Sequence, residues 1–179
     1  MENNTAFGFR AIIKNGLTSS LFVKDILIPL LIAIGITAYH IFAGNNLLEH
    51  LRYVLDMSLS IIPSIVGLSL AAYTIVNAFV LGTQIKELKT KDGIEFLSKL
   101  NSSFAICLII SLSSLIMSVV CKLIEVCNII IEASLADIIN SITLILLITL
   151  LIYSIWCLFW IVIDIFNLGQ TRAMFDNEE

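Results

Sequence analysis

Four long apolar blocks without a charged residue dominate this sequence. They are Ile26–Ala43, Met57–Ile85, Leu100–Cys121 and Ile138–Ile163. A helix needs about 20 apolar residues to cross about 30 Å of hydrocarbon, and each block approaches or exceeds that length. Of the 179 residues, 59% are hydrophobic and 13% are charged, whereas an average soluble domain has about 25% charged residues. We therefore expect lipid to surround most of the chain.

The blocks predict an all-α membrane protein with four transmembrane helices. The helices are placed at 26–43, 57–82, 100–121 and 138–165. The transmembrane domain then covers 26–168, and a cytosolic tail covers 169–179. Residues 1–25 are predicted to be a cytosolic leader with an amphipathic helix lying in the membrane interface. Its apolar residues recur at helical spacing: Phe9, Ile12, Ile13, Leu17 and Leu21.

Basic residues predict the orientation, because Lys and Arg accumulate in cytoplasmic loops. Four crossings place the leader, the connection between the second and third blocks, and the tail on one side. That side holds Arg10, Lys14, Lys24, Lys86, Lys89, Lys91, Lys99 and Arg172. The other side holds Arg52 and Lys122. Both termini are therefore predicted to be cytosolic (N-in/C-in).

Segment 83–99 is predicted to extend helices two and three into a short cytosolic hairpin. Thr83–Lys91 continues the second helix without a breaker, and Lys91-Asp92-Gly93 is a turn signal. This hairpin is the largest predicted cytosolic feature, so it is the expected docking site for a soluble protein. The charged residues proposed to contact that partner are Lys86, Glu87, Lys89, Lys91, Asp92 and Glu95.

Rows of small residues predict which helix faces pack, because membrane helices associate through close backbone approach. The row on helix two is Ser60, Ser64, Gly67, Ala71, Thr74 and Ala78, with Asn77 close to it. The row on helix three is Ser103, Cys107, Ser111, Ser114, Ser118 and Cys121. Together they predict that helices two and three form a tightly packed antiparallel centre. An oligomer interface is the alternative use of either row.

The sequence lacks the motifs of common enzymes and carriers. It has no HExxH, GxSxG, P-loop or GxGxxG pattern, and no block has a charge at its centre. His40 is interpreted as an interfacial anchor, and the cysteines are interpreted as packing residues. We therefore expect a non-enzymatic protein with no catalytic residue, no cofactor, no metal and no direct contact with nucleic acid. The four cysteines are Cys107, Cys121, Cys127 and Cys157.

Residues 62–75 (IPSIVGLSLAAYTI) contain a proline one turn inside the helix, followed by Gly, Ser, Leu-Ala-Ala and Tyr. This segment resembles small four-helix bacterial inner-membrane proteins of antiphage operons, such as the membrane subunit of the Kiwa defence system. Residues 165–169 (IFNLG) resemble the end of helix four in the same group. The resemblance implies a bacterial inner-membrane homo-oligomer, here expected to be a tetramer. It also implies a cytosolic partner that acts on nucleic acid.

These observations leave three hypotheses for function. The first is a non-enzymatic inner-membrane subunit of a defence system, which senses membrane or phage perturbation and recruits a cytosolic partner. The second is a pore-forming effector that depolarises the cell, with polar residues of helices two and three lining an oligomeric lumen. The third is an immunity or superinfection-exclusion protein. The residues expected to line the pore are Asn77, Ser111, Ser114 and Ser118.

Overall fold

The structure, a computed structural model, describes residues 20–44, 46–82, 91–127 and 133–175. These residues form the helices α1 (Ser20–Phe42), α2 (Leu47–Gly82), α3 (Lys91–Val126) and α4 (Ala133–Phe175). Each helix contains a stretch long and apolar enough to cross a membrane. The predicted fold class is therefore confirmed: this is an all-α, four-helix, multi-pass membrane protein.

The helices extend beyond the predicted transmembrane segments. α2 begins at Leu47 rather than at 57, and α3 continues to Val126 rather than ending at 121. α4 reaches Phe175 and includes part of the predicted tail. The physical reason is that charged residues mark the edge of the hydrocarbon but do not break a helix. The connections predicted on the Arg52 and Lys122 side are therefore largely helical.

The predicted turn at Lys91-Asp92-Gly93 is wrong, because these residues begin α3. An acidic residue is favoured near the start of a helix, so this tripeptide suits a helix start as well as a turn. The connection between α2 and α3 falls within 83–90, outside the described residues. The proposed interfacial helix of the leader also lies almost wholly outside them, within 1–19.

A short connection brings the end of α1 beside the start of α2. Gly44 adopts a left-handed backbone conformation with a φ of 66°, which glycine reaches without a steric penalty. Asn46 then caps α2, because its Oδ1 accepts a hydrogen bond from the backbone N–H of Leu48 at 3.1 Å. The last turn of α1 and the first turns of α2 therefore lie at the same level.

α2, α3 and α4 pack against one another, whereas α1 packs chiefly against α4. Two contacts show that α2 and α3 are antiparallel. Lys122 Nζ lies 3.0 Å from Asp56 Oδ1, and Ser69 Oγ lies 3.7 Å from Cys107 Sγ. We call the end of the bundle that holds Arg52, Asp56, Lys122 and Glu125 the Lys122 end.

Two apolar clusters form the core, one towards each end of the bundle. The cluster nearer the Lys122 end contains Ala33, Leu51, Leu55, Leu144, Leu147 and Ile148. The other contains Ala72, Val76, Leu100, Phe104, Cys107, Ile161 and Leu168. Each cluster draws on at least three helices, so the bundle is held along its length rather than at one point.

The small-residue row of helix two faces away from the other three helices that the structure describes. All six members are exposed: Ser60, Ser64, Gly67, Ala71, Thr74 and Ala78. The opposite face of α2 is the buried one, with Leu55, Ser58, Ile62, Ile65, Ser69, Ala72 and Val76. The prediction that the first row packs against helix three is therefore wrong within one chain. Both faces repeat at helical spacing, and spacing does not specify which partner a face meets.

The small-residue row of helix three lies inside the bundle over most of its length. Ser111, Ser114 and Ser118 are each 0% exposed, and Cys107 is 1% exposed. Cys121 is half-buried and Ser103 is exposed, so the row leaves the interior at its two ends. Small side chains at these positions allow neighbouring helices to approach α3 closely.

Candidate functional site

The exposed row on α2, from Ser60 to Ala78, is the candidate contact surface of this protein. We call it the α2 row. A Cβ atom added at Gly67 would meet no heavy atom within 4 Å, so the surface there is open in a single chain. Larger apolar residues lie between the small ones, including Leu68 and Ile75, which are 54% and 61% exposed. The exposed surface therefore combines a row of small residues with larger apolar residues beside it.

Polar groups near the α2 row suit a contact with another helix in lipid. The hydroxyl of Thr74 donates to the carbonyl oxygen of Leu70 at 2.9 Å, so it needs no water. Asn77 is half-buried beside the row. A side-chain amide at a membrane helix contact can form an interhelical hydrogen bond, at a modest gain of about 0.6 kcal/mol. The α2 row thus allows a second helix to approach closely, and Asn77 beside it supplies one polar side chain for the contact.

The interior serines of α3, which are predicted as one lining of an oligomeric pore, lie inside the single chain. The hydroxyls of Ser58 and Ser114 are buried, without a hydrogen-bond partner among the described residues. Ser118 donates to the carbonyl oxygen of Ser114 at 2.9 Å. The side chains of Ser58, Ser111, Ser114 and Ser118 are all 0% exposed in one chain, so none of them faces the surface of a single copy, and the pore stays a hypothesis.

An ion network joins α2 to α3 at the Lys122 end. Arg52 Nε lies 2.6 Å from Glu125 Oε1, and Lys122 Nζ lies 3.0 Å from Asp56 Oδ1. Lys122 Nζ also lies 3.1 Å from Glu125 Oε2. Exposed ion pairs contribute little to stability. Because charged groups are costly in hydrocarbon, we expect these four to lie at the edge of the bilayer.

Two histidines from different helices come into contact at the same end. The ring centroids of His40 on α1 and His50 on α2 lie 3.6 Å apart, with an interplanar angle of 34°. The ring of Tyr39 meets His40 edge-on at 5.6 Å. His40, predicted from the sequence to be an interfacial anchor, is therefore one member of a pair that the sequence pattern did not predict. The signal was available, because both residues flank one short interhelical connection.

Cysteines from α3 and α4 also lie close together, although they are far apart in the sequence. Cys107 lies in the cluster against which Cys157 packs, and it contacts the hydroxyl of Ser69. Within the described part of the chain, no group of three or more His, Cys, Asp or Glu residues is arranged to hold a metal ion. Cys107 and Cys157 pack in the same apolar cluster between α3 and α4, whereas Cys127 is exposed.

The proposed docking residues of the hairpin are not placed by the structure. Lys86, Glu87 and Lys89 lie outside the described residues, as do the side chains of Lys91, Asp92 and Glu95 at the start of α3. Their role in partner binding stays a prediction.

Comparisons with protein-family models, curated proteins and solved structures found no match. The likeness to membrane subunits of antiphage operons therefore depends on residues 62–75 and 165–169 alone. The structure places the first segment in α2 and the second in α4. The first segment also contributes the centre of the α2 row, from Ser64 to Thr74.

Proposed function

We propose that this protein is a non-enzymatic membrane subunit that assembles with copies of itself through the α2 row. The assembly responds to a membrane or phage perturbation and recruits a cytosolic protein partner. The observation that supports this proposal most directly is the exposure of all six small residues of the row. We place the protein in the inner membrane of a bacterium, in agreement with the resemblance and with the distribution of Lys and Arg.

In a bilayer, the gain from packing two helices depends on the size of the residues at their contact. Packing leucine against leucine gains little over packing leucine against an acyl chain, so large apolar residues do not by themselves drive association. Small residues do, because they let two backbones approach and make many van der Waals contacts. α2 uses one face for its own bundle, so its opposite face is available to another helix.

The symmetry of the contact determines the size of the assembly. If the α2 row meets the same row of a second copy, the contact is isologous and closes as a dimer. The predicted tetramer requires either that the row meets a different face of its neighbour and the ring closes, or that a second interface exists. The measured mass of the assembly therefore distinguishes an isologous dimer from a tetramer that is a closed ring or has a second interface.

Adding bulk to the α2 row is expected to dissociate the assembly. In Gly67→Leu, the new side chain has room within one chain, but it fills the space that a neighbouring helix needs. Gly35→Leu is the matched control, because a Cβ at Gly35 also meets nothing within 4 Å and Gly35 is exposed on α1. We expect monomer mass for the Gly67 variant and wild-type mass for the Gly35 variant, measured by light scattering in mild detergent. Equal masses for both variants, or a monomeric wild type, would contradict the proposed interface.

Reversing acidic charges on the predicted hairpin is expected to abolish partner capture. The triple change Glu87→Lys, Asp92→Lys and Glu95→Lys alters the docking surface and strengthens the cytosolic positive charge, so the orientation is preserved. Affinity purification should then lose a cytosolic protein that the wild type captures, and protection against phage plating should fall with it.

The matched control makes the same charge change in the tail, at Asp176, Glu178 and Glu179. It should keep both capture and protection, because the tail is not the proposed docking surface. Unchanged capture by the hairpin variant would exclude the proposed docking site. Capture of a toxin or a phage envelope protein would favour the immunity hypothesis instead.

A further inference from the structure

Two cysteines from different helices meet in the interior of the bundle. Cys107 on α3 is 1% exposed, and Cys157 on α4 is half-buried against the same apolar cluster. Their thiols are hydrogen-bonded to each other, so the two sulfur atoms are in contact. A disulfide requires side chains that point towards each other from neighbouring backbones. The contact between the two thiols meets that requirement.

Hydroxyl groups surround this thiol pair. Ser69 Oγ on α2 lies 3.7 Å from Cys107 Sγ, and Ser111 also contacts Cys107. Tyr153, one turn before Cys157 on α4, hydrogen-bonds to Cys157. A hydroxyl that donates a hydrogen bond to a thiolate stabilises it, and the thiolate is the reactive form of cysteine. The pair therefore has polar neighbours that support thiol chemistry, which a purely apolar packing site would not supply.

The pair lies within the apolar zone, on the side away from the Lys122 end. Cys107 follows the start of the third apolar block at Leu100 by seven residues, and Cys157 precedes the end of the fourth block at Ile163 by six. At 1.5 Å per residue, both cysteines lie about 10 Å inside that edge. Entry into this zone is costly for a polar oxidant, whereas a lipid-soluble quinone reaches it. The half-buried side chain of Cys157 is the one that such an oxidant meets first.

We propose that Cys107 and Cys157 are a redox pair, which a membrane quinone oxidises to a disulfide between α3 and α4. Both S–H bonds break as the S–S bond forms, and the two thiols lose two protons and two electrons. The quinone takes up the protons and the electrons and becomes the quinol. The disulfide ties α3 to α4, so the bundle is restrained when the quinone pool is oxidised. The pair does not require the assembly proposed above, so each proposal can fail without the other.

Counting reactive thiols tests this proposal. The change Cys121→Ala with Cys127→Ala leaves Cys107 and Cys157 as the two cysteines of the chain. This protein, in phosphatidylcholine vesicles, is treated with decylubiquinone or with dithiothreitol, then unfolded and labelled with maleimide-polyethylene glycol. We expect two labels per chain after dithiothreitol and none after the quinone. Dithiothreitol added after the quinone should restore both labels, which distinguishes a disulfide from covalent addition of the quinone.

Moving one thiol provides the matched control. Cys157→Ala combined with Ile155→Cys, in the same background, keeps two thiols but places the second where Ile155 is 47% exposed on α4. Chains of this variant that run as monomers on a non-reducing gel should keep both labels after the quinone. Wild-type protein treated with the quinone should yield a linked peptide pair that contains Cys107 and Cys157. Two labels on the quinone-treated test protein, or an equal loss of labels in test and control, would overturn the proposal.

Discussion

Ser114→Leu is expected to disrupt the bundle, whereas Ser113→Leu leaves it intact. Ser114 is 0% exposed on the inner face of α3, where the neighbouring helices have no room for a larger side chain. Overpacking a core costs about 1 to 3 kcal/mol and occasionally more. We expect Ser114→Leu to cost about 3 kcal/mol or more, because the small residues of α3 let the neighbouring helices approach it closely along several turns.

Ser113 is a close control for this change. It is the preceding residue on the same helix, and it is exposed. Its hydroxyl donates to the carbonyl oxygen of Ile109 at 2.8 Å, so leucine there replaces an internally satisfied group with one that lipid solvates well. Thermal unfolding in detergent, followed by circular dichroism, should show a lower midpoint for Ser114→Leu only. Equal midpoints would mean that α3 does not pack as described.

Phe104→Ala is expected to produce the second large loss of stability. The ring is 1% exposed in the cluster opposite the Lys122 end, and its centroid lies 5.5 Å from that of Tyr73. Phe→Ala costs about 3 to 5 kcal/mol in soluble cores. We expect about 2 to 4 kcal/mol here, because the separated helices would still be in an apolar solvent, while the cavity penalty remains.

Phe159→Ala provides the comparison for this deletion. Phe159 is 58% exposed on α4, and its ring centroid lies 6.2 Å from that of Trp156. Removing it should cost at most about 0.5 kcal/mol. Reversible unfolding in mixed micelles gives both values. A similar cost at the two positions would place Phe104 outside the core.

The number and class of helices follow from the sequence because hydrocarbon satisfies no backbone hydrogen bond. A chain with four uncharged blocks is therefore restricted to helices or a closed barrel, and blocks of this length suit helices. The helix ends are less predictable, since Leu47 and Phe175 lie beyond the apolar stretches and nothing nearer breaks the helix. The apolar pattern indicates which residues lie in the bilayer. The helix ends depend instead on helix-breaking and capping residues, such as Asn46 at the start of α2.

The sequence predicts which face of α3 is buried in the bundle, but it does not predict which face of α2 is buried. On α3 the small residues and the buried residues coincide at Ser111, Ser114 and Ser118. α2 has two usable faces, and its buried face mixes Ser58 and Ser69 with large apolar residues. Contacts between helices, such as His40 with His50, depend on register and rotation. Those are properties of the packed bundle rather than of any one segment.

The pairing of α1 with α4 has a consequence for biosynthesis. A ribosome makes α1 before α2 and α3, yet α4, against which α1 chiefly packs, leaves the translocon only after them. During that interval α1 stays in the bilayer without its principal neighbour, while α2 and α3 can already associate. Closure of the bundle therefore waits for α4, so a nascent chain that stalls before α4 leaves α1 without its neighbour, as a substrate for membrane quality control.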